Sequence, residues 1–88
     1  MGLWANLFGP TREPFQISAG SFAALATSLQ LLPPRGIGWI TFADAAGLYS
    51  VFHQPNVDLG GLEDFAAEHR CKMTVEQSEQ RIYFRKGG

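Results

Sequence analysis

The sequence predicts an α+β domain in which two helices pack on one face of a four-stranded antiparallel sheet. Three observations carry that expectation. Two segments, 18–32 and 59–69, place their apolar residues at three- and four-residue steps, the period of a helix face. Four short segments, 37–42, 48–53, 71–76 and 81–86, are rich in β-branched and aromatic residues or alternate apolar with polar side chains. Read in order they give helix, strand, strand, written twice (αββαββ), and two helices covering one side of such a sheet is a natural packing.

The chain starts with an arm over residues 1–15. Trp4, Leu7 and Phe8 are followed by Gly9, Pro10 and Pro14, which punctuate the segment too often for a long helix. The arm either folds back as a hydrophobic plug or reaches a partner or a membrane surface, and the single α+β domain occupies 16–88. In the first helix Phe22, Leu25, Leu29 and Leu32 share a face, while Ala23, Ala24 and Ala26 supply helix propensity. Ser18 or Ser21 caps its start and Pro33-Pro34 stops it.

Residues 37–42 read as a strand and 48–53 as its hairpin partner, with 43–47 as the loop and Gly47 taking a positive φ. A helix starting at an Asp44 cap is the competing reading, and the β formers Tyr49, Val51 and Phe52 favour the strand. Asp58 caps the second helix, with Leu59, Leu62, Phe65 and Ala66 on one face and His69-Arg70 near its negative end. In the last hairpin Cys71, Met73 and Val75 alternate with Lys72, Thr74 and Glu76, and Arg81, Tyr83 and Arg85 alternate with Ile82, Phe84 and Lys86. Residues 77–80 make its loop.

Composition narrows the function classes. The 88 residues suffice for one domain, and 45 % of them are hydrophobic against 17 % charged. That balance excludes a chain whose native state is disorder. A formal charge of −1 argues against a binder held on nucleic acid by electrostatics, whose footprint is basic. Cys71 is the single cysteine, so no intrachain disulfide forms and a cytoplasmic location is expected. The first residues lack the charged and long apolar regions of a signal peptide, and no stretch reaches the length of a membrane span.

With both helices on one face, the other face of the sheet is left to solvent or a partner. The first hairpin is apolar on both sides. Burying Ile40, Phe42, Leu48 and Phe52 puts Trp39, Tyr49, Val51 and His53 on the open face, beside Arg81, Tyr83 and Arg85. Trp39, Tyr49, Arg81, Tyr83 and Arg85 form the candidate binding set, because Trp, Tyr and Arg dominate interface hot spots. The expected function is protein–protein interaction or homodimerisation, with no catalysis and no cofactor. A platform that stacks a small planar ligand or the bases of single-stranded nucleic acid is an alternative, and a third reading lays the arm across the face.

Signatures of catalysis are sparse. There is no P-loop, G-x-G-x-x-G, H-E-x-x-H or G-x-S-x-G, and one cysteine with two histidines falls short of a structural zinc site. Cys71 has His69, Arg70 and Lys72 close by, a cationic setting that favours a thiolate, but it falls on the core face of its strand. His53 is a candidate base with no acid partner visible in the sequence.

The chain ends in Gly87-Gly88. That ending resembles ubiquitin-like modifiers and sulfur carriers, and the resemblance implies a carboxylate that is activated as an adenylate. It covers two residues. It goes with an alternative ubiquitin-like roll, in which 3–8 and 15–18 form an opening hairpin.

Overall fold

The computed structural model describes residues 14–53 and 56–87. The class is α+β, as expected, but the chain forms three helices and a mixed sheet rather than two helices on an antiparallel one. The elements are β1 (Phe15–Gln16), α1 (Phe22–Leu31), β2 (Ile37–Thr41), α2 (Phe42–Ser50), α3 (Leu59–Glu68), β3 (Cys71–Glu76) and β4 (Arg81–Lys86). The strand order is β1-β2-β4-β3. β1 runs parallel to β2, while β4 is antiparallel to both β2 and β3. The parallel pair is joined through α1, the connection that parallel strands require. Residues 3–8 of the alternative opening hairpin, like most of the arm, lie outside the described residues, and 15–16 pair with β2 in the parallel sense.

Local chemistry accounts for each helix. Ser21 accepts a hydrogen bond from the Ala24 amide at 3.1 Å and starts α1, which turns Leu25 and Leu29 into the core. The helix gives way at Leu32, ahead of the two prolines. Arg35 then takes a left-handed φ of 65° to bring the chain into β2. At the head of α3, Asp58 accepts from the Gly61 amide at 2.9 Å. A Cβ on Gly61 would lie 2.7 Å from Asp58 Oδ2, so the glycine is what lets the carboxylate close over the helix end.

The principal correction concerns 42–53. Residues 42–50, read as the end of one strand, the loop 43–47 and the start of the strand 48–53, form helix α2. Thr41 is at once the last residue of β2 and the N-cap of α2: its hydroxyl accepts from the Asp44 amide at 3.0 Å, and its own amide donates to Asp44 Oδ2 at 3.2 Å. This reciprocal capping box starts a helix with no intervening loop. Asp44 therefore stands inside the first turn instead of capping it. Ala45, Leu48 and Tyr49 share the buried face, and Phe52, expected under the helices, is exposed.

The core is a layer between the helices and the inner side of the sheet. Ile40, Ile82, Phe84, Cys71 and Met73 meet Leu25, Leu29, Leu48, Leu62 and Ala66. β3 and β4 carry the expected alternation, with Cys71, Met73, Ile82 and Phe84 buried and Val75 half-buried. The inner layer is tight at Gly38, where an added Cβ would stand 2.6 Å from Ile17 Cγ2. Phe22 holds the outer helices together through edge contacts with Tyr49 and Phe65, each with centroids 5.4 Å apart.

Candidate functional site

Strand pairing fixes the outer side of the sheet. β2 and β4 are in a register that places Trp39 opposite Tyr83, Thr41 opposite Arg81 and Ile37 opposite Arg85. β3 adds Lys72 opposite Arg85, Thr74 opposite Tyr83 and Glu76 opposite Arg81. Apart from Thr41, whose hydroxyl caps α2, these point away from the helices, since their strand neighbours fill the core. Among the described residues no element lies over this face. Whether residues 1–13 cover it falls outside the described part of the chain.

Four of the five expected site residues come together here. The Arg81 guanidinium lies over the Trp39 ring, 3.7 Å from its centroid. The two residues are diagonal neighbours across β2 and β4, a separation that long side chains bridge readily. Arg81 also donates to the Tyr83 hydroxyl at 3.4 Å, and that hydroxyl donates to Glu79 Oε1 at 2.6 Å. The result is a row of Glu79, Tyr83, Arg81 and Trp39 in which the guanidinium sits over the indole. Cation–π contact of this kind stabilises the pair by roughly 0.5–1 kcal/mol where water has access.

Arg85 stands at the other end of the face. With Ile37, Lys72, Thr74, Tyr83 and Pro14 it lines a depression of about 310 Å³.

Tyr49 is not part of this face. It belongs to α2, is buried in the core, and donates its hydroxyl hydrogen to the Asp58 carbonyl at 3.0 Å. Burial, reinforced by the negative charge of Asp58, raises its phenol above the ordinary value of 10.0. Val51 and His53, expected beside it, follow the end of α2. His53 has a left-handed φ of 57°.

A second hollow was not legible in the sequence, because it depends on α2 being a helix. It holds about 470 Å³ between α2, the start of α3 and the last hairpin, with Phe42, Ala45, Val57, Leu59, Val75 and Ile82 as its apolar wall. Asn56 and Gln77 are its polar edge.

Cys71 and His69, considered for chemistry, both make structural contacts. Cys71 is buried and its thiol donates to the His69 carbonyl at 3.4 Å. Burial pushes the thiol above its ordinary value of 9.0, and Lys86 offsets this only in part, the reverse of what a nucleophile needs. His69 Nδ1 lies 2.9 Å from the Phe65 carbonyl in the last turn of α3, and its ring packs on Phe65. Among the described residues, no three His, Cys, Asp or Glu side chains gather as metal ligands. None of the described helices is long and apolar enough to cross a membrane. Gly87 is drawn in by its amide, which donates to the Arg70 carbonyl at 2.8 Å.

No family model, curated protein or solved structure matches this chain.

Proposed function

We propose that this chain is a binding module, without catalysis of its own, that acts by protein–protein contact through the outer face of its sheet. The observation that carries the reading is the Trp39–Arg81–Tyr83 row. An indole, a guanidinium and a phenol are held in a fixed arrangement on a rigid strand pair. Those three residue types dominate interface hot spots, and holding them in place before contact reduces the entropy lost on binding. Arg85 and Lys72 beside Ile37 suit an acidic residue of the partner. A cytoplasmic site of action goes with a single cysteine that is buried and free.

The test is site-specific photocrosslinking in cells, with a photoreactive phenylalanine at position 83 of the full chain. A discrete crosslinked protein that disappears when Trp39→Ala is added supports the reading. A band at twice the chain mass identifies a second copy, and another mass identifies a different protein. Absence of any crosslink, or crosslinks indifferent to Trp39→Ala, sinks it. Thermal melts accompany the experiment, since an unfolded Trp39→Ala chain would assign the indole to the core instead.

A further inference from the structure

We infer that two copies of this chain join edge to edge through β3, antiparallel about a two-fold axis at Thr74. The inference goes beyond the open-face reading and does not depend on it. β3 is the terminal strand of the sheet, with β4 on one side and no described strand on the other. It is six residues long, against two for β1 at the opposite edge. An edge of this length offers a row of backbone donors and acceptors as a template for another strand.

Ladder polarity shows which groups are offered. The Lys86 amide donates to the Gly36 carbonyl and the Phe42 amide to the Gln80 carbonyl. The even-numbered residues of β4 therefore turn their backbone polar groups towards β2. The odd-numbered ones, Arg81, Tyr83 and Arg85, turn theirs towards β3 and bond with Glu76, Thr74 and Lys72. The Gly87–Arg70 hydrogen bond continues the same alternation. Cys71, Met73 and Val75 are left with their N–H and C=O groups directed at the free edge.

Side-chain charge then selects one register. A self-pairing that keeps core side chains on one face must match odd with odd and even with even. Centring it on Thr74 places Met73 opposite Val75 of the second copy as a hydrogen-bonded pair. Lys72 falls opposite Glu76 of the second copy, twice by symmetry, in the non-bonded pairs where side chains approach closest. Within one chain Lys72 and Glu76 are about 13 Å apart along the strand and cannot neutralise each other. Instead Lys72 faces Arg85 across β4, a like-charge pairing that is unfavourable. Shifting the centre to Met73 or Val75 loses the Lys72–Glu76 match. The two-fold at Thr74 is the register that gives Lys72 an acid.

The experiment is sedimentation equilibrium on the full chain, wild type against Lys72→Glu, Glu76→Lys and the double reversal. Each single change converts two attractive contacts into repulsive ones and is expected to weaken the dimer about tenfold or more. The double reversal is expected to restore it. Lys72→Glu puts an acid opposite Arg85, so its monomer melts no lower than wild type, and weakened association cannot be confused with unfolding. Backbone exchange supplies an independent readout: the Met73 and Val75 amides are expected to slow as concentration rises. A chain that stays monomeric, or a dimer indifferent to Lys72→Glu, overturns the edge pairing. A dimer lost in Trp39→Ala but not in Lys72→Glu overturns it as well, and places the second copy on the open face.

Discussion

The ammonium of Lys86 lies 2.6 Å from the carbonyl oxygen of Leu29 and 3.4 Å from that of Gln30. The last strand thus sets a cation against the carbonyls at the end of the first helix, where the dipole favours one, adding to the bond that the Leu29 carbonyl accepts from the Leu32 amide at 3.3 Å. α1 has no basic residue of its own in its last turn, so the charge is supplied from 57 residues away in sequence.

Lys86→Met keeps most of the aliphatic stem and removes only the charge. The expected loss is about 1 kcal/mol, discounted for the partial exposure of the site, or a fall of several degrees in Tm for a domain of this size. Urea denaturation of the two proteins measures it. Unchanged stability would mean that water serves the Leu29 carbonyl equally well.

Thr41→Ala is expected to destabilise the chain by about 1 kcal/mol, because it leaves the Asp44 amide without its acceptor at the head of α2. Thr41→Ser keeps the hydroxyl and should lose only a few tenths of that. If the hydroxyl were irrelevant and only the β-branched shape mattered to β2, both substitutions would cost alike.

Alkali is expected to destabilise the fold. Cys71 and Tyr49 both have their proton affinity raised by burial, so the unfolded chain ionises first as pH rises. The folded state then holds more protons than the unfolded one, and stability falls with increasing pH. For the thiol the contribution is complete below its ordinary value of 9.0 and is lost as pH climbs from there through the raised folded value. Urea midpoints at about pH 8 and about pH 10 should separate in wild type and draw closer in Cys71→Ala, leaving the phenol's share. A midpoint that holds or rises across that interval contradicts the assignment.

Legibility in the sequence followed the distinctness of each period. The 71–86 hairpin was fully legible because Cys71, Met73, Ile82 and Phe84 alternate strictly with polar residues, and β strands have no other period. α3 announced itself through Asp58, and α1 through Leu25 and Leu29 ahead of two prolines. α2 was hidden by Thr41, whose double use removes the loop that normally separates a strand from a helix. Tyr49, Val51 and Phe52 are β formers, yet Ala45, Leu48 and Tyr49 lie on one helical face, and core packing decided between the two periods. Reading them as a strand moved Tyr49 to the wrong side of the molecule. β1 was out of reach for another reason: two residues carry no period at all. Trp39, Arg81, Tyr83 and Arg85 survived as a group because their strands were read in the correct phase.

β4 lies in the middle of the sheet yet follows every other described element along the chain. Until it arrives, no strand lies between β2 and β3 to join them into one sheet, and the helices have no Ile82 or Phe84 to close upon. During synthesis the sheet therefore cannot grow strand by strand from one side. It waits for its keystone, and a ribosome that pauses before residue 86 holds a nascent chain with two unmated edges and an open core. The interval before β4 emerges is when the apolar surface meant for the core is most exposed.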